Sequence, residues 1–147
     1  MRVDLRPAKT GDRLAIYALM EMSHGSAAYA MAPMDPAKCI AHIDGCMREG
    51  FAMVGDVNDE VVGCLLGAEN APWFSSQKRA SDLFTYVDPD YRRTGLGLRL
   101  YRAFRAWAHE RNLKVSLGQL TGVETERMER LFERFGLTKM GASYIEV

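Results

Sequence analysis

No charge of one sign dominates this 147-residue chain: lysine plus arginine and aspartate plus glutamate stand at 19 each. That balance excludes a global field drawing in a polyanion or an anionic membrane, so any electrostatic role must come from local clustering. Long apolar runs are also lacking, and the longest, VVGCLLGA at residues 61–68, is far too short to span a bilayer. The opening residues MRVDLRPAKTGDR hold no apolar signal-peptide core, and the expected location is the cytoplasm. Cysteine is scarce, three in all, an odd number without secretory features, which argues against a disulfide framework and for reduced thiols. Repeats, low-complexity tracts and linkers are absent. With 48% apolar residues, the chain is expected to fold as one domain over 1–147 with a sizeable core.

What is present is an alternation of strand-like and helix-like segments. RVDLRPA alternates apolar and polar residues and predicts a strand. Thr10 is placed to cap a helix with Asp12 in its first turn and Leu14, Ala15, Ala18, Leu19 and Met22 on its apolar face. SHGSAAYAMAPM reads as a loop, after which Asp35-Pro36 starts a second helix striped by Ile40, Ile43, Cys46 and Met47 and ending near Glu49-Gly50. The next segment predicts a hairpin turning at Asn58-Asp59, then a strand, SDLFTYV, stopping at Asp88-Pro89. An amphipathic helix over 96–111, a strand LKVSLGQL parallel to SDLFTYV, a last helix ended by Gly136 and closing strands in LTKMGASYIEV complete the reading.

The richest segment is VDPDYRRTGLGLRLYRAF, residues 87–104. Gly95 and Gly97 remove side chains at a helix start, where amide donors are unpaired and the helix dipole is positive. Arg92 and Arg93 stand beside them and Arg99 lies one turn in, so a diphosphate would meet both backbone donors and guanidinium forks. A Walker loop is excluded because no Gly-Lys-Ser/Thr follows. A dinucleotide fingerprint is excluded because Leu100 stands where the third glycine belongs and Gly118-Gln119 where an acid should close the next strand.

On these residues the chain resembles the Gcn5-related N-acetyltransferases (GNAT). Their Arg/Gln-x-x-Gly-x-Gly/Ala signature after a strand ending Val-x-Pro is matched by Val87-Asp88-Pro89 and Arg92-Arg93-Thr94-Gly95-Leu96-Gly97. A second segment, a helix closing on Tyr-x-x-x-Gly-Phe, is similar to Phe132-Glu133-Arg134-Phe135-Gly136-Leu137, and the order of elements agrees along nearly the whole chain. The resemblance implies a mixed α/β (α+β) fold: a mostly antiparallel sheet flanked by helices, with strands 82–88 and 113–118 parallel and splayed. It also implies direct transfer of an acetyl group from acetyl-coenzyme A to an amine, without a metal. Backbone amides from Arg93 to Leu98, thus Thr94, Gly95, Leu96 and Gly97 included, would hold the pyrophosphate, with Arg92 and Arg93 flanking it. The main chain near Tyr86 and Val87 would pair with the pantetheine arm.

The family's tyrosine, the usual proton donor to the departing thiolate, is Phe132 here, and an asparagine that often opens this helix is replaced by Glu124 or Thr125. A thiol of pKa about 8.5 leaves as a fairly stable thiolate, so water or Tyr144 is the expected donor. The nucleophile demands more: an amine of pKa about 10.4 costs about 4 to 5 kcal/mol to deprotonate at pH 7, and Asp82 and Glu21 are the candidate bases.

Rival readings fall on other residues. Cys39, His42 and Cys46 share a helical face and are read as core rather than metal ligands. His24 is a candidate substrate contact; Met20, Met22, Met31 and Met34 are either core or an adaptable acceptor pocket; Trp73-Phe74 is a lid over the acceptor site or a local hydrophobic plug. Seven basic residues between Arg92 and Lys114, interleaved with Tyr101, Phe104 and Trp107, raise nucleic-acid binding as an alternative, set aside because the aromatics fall on the apolar face. Another alternative is an acyl-coenzyme A sensor that transfers poorly. The expected partners are a small-molecule or peptide amine, with no nucleic acid and no membrane, and the resemblance allows a homodimer. Cys64, mid-strand in an apolar run, is expected to be inert.

Overall fold

The computed structural model describes residues 2–27, 30–118 and 125–146. Five strands form one sheet in sequential order: β1 (Asp4–Pro7), β2 (Phe51–Val57), β3 (Glu60–Asn70), β4 (Arg79–Val87) and β5 (Val115–Ser116). The first three pairings are antiparallel; β4 and β5 are parallel through Ala80↔Val115 and Ser81↔Ser116. Among the described residues four α-helices accompany the sheet: α1 (Arg13–Ser26), α2 (Pro36–Glu49), α3 (Leu96–Glu110) and α4 (Thr125–Arg134). The mixed, mostly antiparallel sheet with β4 and β5 parallel is as the resemblance led us to expect, with the parallel pairing at residues 80–81 and 115–116 rather than along 82–88.

The sheet separates two cores. On one face Ile16, Leu19 and Met20 of α1 and Ile43 and Cys46 of α2 pack on Val54, Cys64 and Leu66. On the other, Leu96, Leu100, Tyr101, Phe104 and Ala108 of α3 pack on Phe51, Val62, Leu65 and Ala80, with Phe132 and Phe135 along the edge of that cluster. The run VVGCLLGA lacks alternation because β3 is covered on both faces. The β2–β3 turn holds Asn58 and Asp59 at φ 50° and 67°, the left-handed pair a two-residue hairpin requires.

Four expectations need correction. Thr10 does not cap α1; residues Thr10–Asp12 form a 3-10 turn, and Asp12 accepts the Lys9 amide at 2.8 Å. The buried arc of α1 is Ile16, Leu19, Met20 and Ser23, while Leu14 is 77% exposed. The helix is apolar around most of its first half, so periodicity alone could not select the face. Residues 23–26 of the supposed loop continue α1, because Ser23 is buried against the core. No closing strand forms in 137–146, where Met140 and Tyr144 are exposed; a strand pattern needs a sheet edge to pair with, and this segment meets none among the described residues.

A buried ion-pair network fixes the sheet's first edge. The Arg6 guanidinium forks onto Asp12 at 2.7 and 2.9 Å, and its Nε donates to Asp56 at 2.9 Å. Asp56 in turn accepts the Asp59 amide at 2.7 Å, so one arginine ties β1 to the start of α1 and to the β2–β3 turn. The Arg6 hydrogen bond holds the Asp12 carboxyl below its ordinary 3.8 against the opposing effect of burial. A depressed folded pKa stabilises the fold above the unfolded value and is lost as pH falls through the folded one. Asp12→Ala, which leaves Arg6 with Asp56 as its remaining carboxylate, is expected to cost about 1.5 to 3 kcal/mol in urea unfolding at pH 7, with a smaller penalty at acid pH where the Asp12 carboxyl is protonated.

Candidate active site

β4 and β5 part immediately after they meet. Beyond Ser81 no β5 residue pairs with β4 among the described residues, so the strand from Asp82 to Val87, about 16 Å long, presents backbone to an open wedge. At the apex the Gly118 amide donates to the Asp82 carboxylate at 3.0 Å, the last link between the strands among the described residues. A bulge shapes the same place. Leu66 faces Phe84 and Gly67 faces Asp82, leaving Leu83 with no residue opposite. The extra residue flips the alternation: Phe84 and Tyr86 pack towards α1 and α2, whereas Ala80 and Val87 pack towards α3.

At the open end of the wedge β4 leads through a 3-10 turn, Pro89–Tyr91, into α3. Gly95 is its N-cap at φ 78°, a conformation L side chains rarely adopt, and space is open where a Cβ would stand. The first helical bond runs from Arg99 N to Gly95 O at 3.1 Å, which leaves the amides of Gly97 and Leu98 before it without an intrahelical acceptor. Thr94 braces the turn by donating from Oγ1 to Tyr91 O at 2.6 Å. Arg92 folds back, with Nε donating to Val87 O at 3.1 Å and its guanidinium 5.3 Å from the Tyr86 ring centre, while Arg93 is exposed at the rim. Glycine where a ligand needs backbone access, outward amides, a helix N-terminus and two arginines fit the pyrophosphate of a coenzyme A.

The basic residues of α3 and its end are mostly engaged. Arg99 donates to Val3 O, Arg105 lies 5.7 Å from the Phe135 ring and, just past the helix, Arg111 lies 4.4 Å from the Trp107 ring, while Arg102 is exposed. Arg99 is therefore engaged away from the loop it was expected to join. Tyr101 and Phe104 are buried and Trp107 packs on Phe51, so the aromatics are core.

Comparison with known proteins decides the matter. A model of the acetyltransferase (GNAT) family matches residues 16–137. The chain belongs to the acetyltransferase (GNAT) family. It is thereby an acyltransferase. No curated protein matches it by sequence. Among solved structures it is similar to a ribosomal-protein-alanine N-acetyltransferase from Brucella melitensis biovar Abortus 2308, at 20% identity and a TM-score of 0.74, covering 100% of this chain and 99% of that one. It is also similar to AAC(6′)-Iy bound to a bisubstrate analogue, CoA-S-monomethyl-acetylneamine, at 10% identity and a TM-score of 0.76, covering 100% and 98%. A third is the aminoglycoside 6′-N-acetyltransferase AAC(6′)-Ih from Acinetobacter baumannii, at 11% identity and 0.73, covering 99% and 98%.

Within this GNAT domain the expected site residues divide. Tyr86, Val87 and the loop Arg92–Leu98 line one continuous path from wedge to helix, although Arg92 occupies the Val87 carbonyl. Asp82 stands at the apex on the α3 side, whereas Glu21 is exposed on α1, across the sheet. Tyr144 is 95% exposed in the C-terminal segment. Phe132 is packed edge-on against Tyr101, ring centres 5.7 Å apart. Glu124 lies outside the described residues, as do Gln119 and Leu120 of the predicted strand. His24 Nε2 is 2.6 Å from Ala32 O and so holds its own loop. Met20 is core and Met34 packs beside it, while Met22 and Met31 are exposed. Trp73 and Phe74, 96% and 72% exposed, touch each other edge-on and plug nothing. Cys64 is fully buried and burial pushes its thiol pKa up, which makes it a poor nucleophile. His42 is exposed on α2 while Cys46 is buried, and among the described residues no group of three or more His, Cys, Asp or Glu could hold a metal.

Sequence reasoning placed Tyr101 only in the core. The structure buries its phenol on the face that carries Asp82 and Thr85, polar groups inside an apolar cluster, and Thr85 Oγ1 is buried without a hydrogen-bond partner of good geometry. The bulge makes this patch, since without it Asp82 and Thr85 would point to opposite faces. Burial raises the Asp82 carboxyl to about 6, with the Gly118 amide opposing. A raised folded pKa means the folded chain binds the extra proton, so this group's contribution is full below about pH 4 and declines as pH rises through about 6. Asp82→Asn keeps the acceptor for Gly118 and removes the buried charge; its melting temperature relative to the parent is expected to rise from pH 5 to pH 8 in parallel thermal melts.

Proposed function

We propose that the protein transfers an acetyl group from acetyl-coenzyme A directly to a primary amine of a small molecule or peptide. The observation that carries this reading is the left-handed Gly95 cap with free amides behind it, opening onto the wedge between β4 and β5. Acetyl-coenzyme A supplies the activated acetyl group. The amides from Arg93 to Leu98 hold its pyrophosphate, and Arg93 adds positive charge at the rim. The main chain of β4 near Tyr86 and Val87 pairs with the pantetheine arm and offers an amide where negative charge builds on the thioester oxygen.

The acceptor nitrogen must lose a proton to attack the carbonyl carbon; the new C–N bond forms as the C–S bond breaks, and the sulfur departs as a thiolate. Asp82 is the base best supported, because it stands at the wedge apex with a pKa near 6, close to working pH. Glu21 across the sheet is the second candidate. Tyr144 or water returns a proton to the thiolate. With no activated nucleophile at hand and Cys64 buried, transfer proceeds without a covalent enzyme intermediate. Three free cysteines suit the reducing cytoplasm. Two structural relatives act on amines, an aminoglycoside and a ribosomal-protein alanine, and these define the first acceptors to try.

Calorimetric titration with acetyl-coenzyme A at two salt concentrations tests the cradle. One-to-one binding that weakens with salt is expected, reduced about tenfold or more by Arg92→Ala or by Gly95→Val, which forces a β-branched residue to positive φ. Absence of binding to the intact chain would sink the reading. A thiol-release assay over a panel of primary amines then separates a transferase from a sensor: turnover that falls about 100-fold in Asp82→Asn while acetyl-coenzyme A still binds supports Asp82 as the base. Binding without turnover on any amine would favour the sensor, for which Phe132 in place of a proton donor is the observation in hand.

A further inference from the structure

Leu96 lies between the two loop glycines, yet it is fully buried. Its side chain enters a hole in the sheet made by Gly55 of β2 and Gly63 of β3, which face each other as Cα partners. A Cβ on Gly55 would stand 2.6 Å from both Leu96 methyls and 3.2 Å from its Cγ. One on Gly63 would stand 2.7 Å from Leu96 Cδ2, 3.2 Å from Tyr86 O and 3.3 Å from Val87 Cγ2. Neither glycine has positive φ, so what excludes a side chain at these positions is space rather than backbone conformation.

We infer that Gly55 and Gly63 form a socket that positions the coenzyme-binding loop by seating Leu96. The inference rests on the proposed function and concerns two residues that would not touch the coenzyme. Leu96 is the first residue of α3, its neighbours on both sides contribute the amides of the cradle, and a helical side chain has few rotamers through which to evade a crowded hole. Filling the socket therefore lifts the backbone of residues 95–98. At Gly63 it also presses on the β4 residues expected to meet the pantetheine arm. A second close approach, Phe104 over Gly67, anchors the same helix about 12 Å further along and provides a matched control.

The test compares coenzyme A affinity by calorimetry, well below each melting temperature, in the full chain and its variants. Gly55→Ala is expected to weaken coenzyme A about tenfold or more, whereas Gly67→Ala lowers the melting temperature but leaves affinity within about threefold. Leu96→Ala alone is expected to weaken binding about tenfold by unseating the loop without any clash. In Gly55→Ala/Leu96→Ala the two losses should fail to add, because the socket has no occupant left to expel. A folded Gly55→Ala chain that binds like the parent, or losses that simply add, would overturn the socket. If Gly55→Ala does not fold, Leu96→Ala carries the test, and unchanged affinity there overturns it equally. Failure of the parent itself to bind coenzyme A removes the acetyltransferase reading and the socket with it, whereas parental binding with insensitive variants removes the socket alone.

Discussion

The structure turns on backbone hydrogen bonds that β4 does not make among the described residues. Two residues pair with β5, and from Asp82 onward the described part of β5 offers β4 no backbone partner, leaving an interior strand with the amides and carbonyls of an edge. An exposed edge invites adventitious pairing, and natural folds normally cover or blunt it. Here that stretch leads through a hydrogen-bonded turn into a helix N-terminus, where the amides of Gly97 and Leu98 precede the first intrahelical bond. A ligand with a long amide-bearing arm and a phosphate head is chemically matched to both parts. The acyltransferase chemistry of this family follows from that geometry more than from any single reactive side chain.

Keeping the wedge open needs a rigid frame around it. The Arg6–Asp12–Asp56 network pins the far edge of the sheet, and paired glycines let α3 sit close enough for Leu96 and Phe104 to enter the sheet surface. The β4 bulge then turns Asp82 and Thr85 to the same face, beside Tyr101. Each device spends some local stability on placing groups, as is common where a fold carries a site. Burial of the Asp82 carboxyl is the clearest case, since the same desolvation that destabilises its charge brings its proton affinity near neutrality.

Much of this was legible in order and kind. Asp35-Pro36 announced α2 because a capping carboxylate followed by proline has few other uses, and Asp35 does accept the Lys38 amide at 3.1 Å. The glycine-capped start of α3 was legible because GxG after Asp-Pro marks a turn into a helix, and Gly95 does cap α3 at φ 78°. The buried face of α1 was not, because Leu14, Ile16, Leu19, Met20 and Met22 offer more than one apolar arc and the choice belongs to what packs against them. The segment 137–146 misled for a related reason: its alternation is real, but strand structure requires a partner.

Sequence by itself determined the element order, the turn chemistry at Asn58-Asp59, and the helix starts at Asp35 and at Gly95. These are local properties, fixed by dihedral preference, side-chain volume and charge over a few neighbouring residues. Tertiary structure alone decided which arc of α1 is buried, where the β4 bulge falls, that Asp82 accepts from the Gly118 amide, and that Gly55 and Gly63 receive Leu96. Those facts join residues tens of positions apart, and only packing at native density settles them, because each depends on whether two distant surfaces can occupy the same few ångströms.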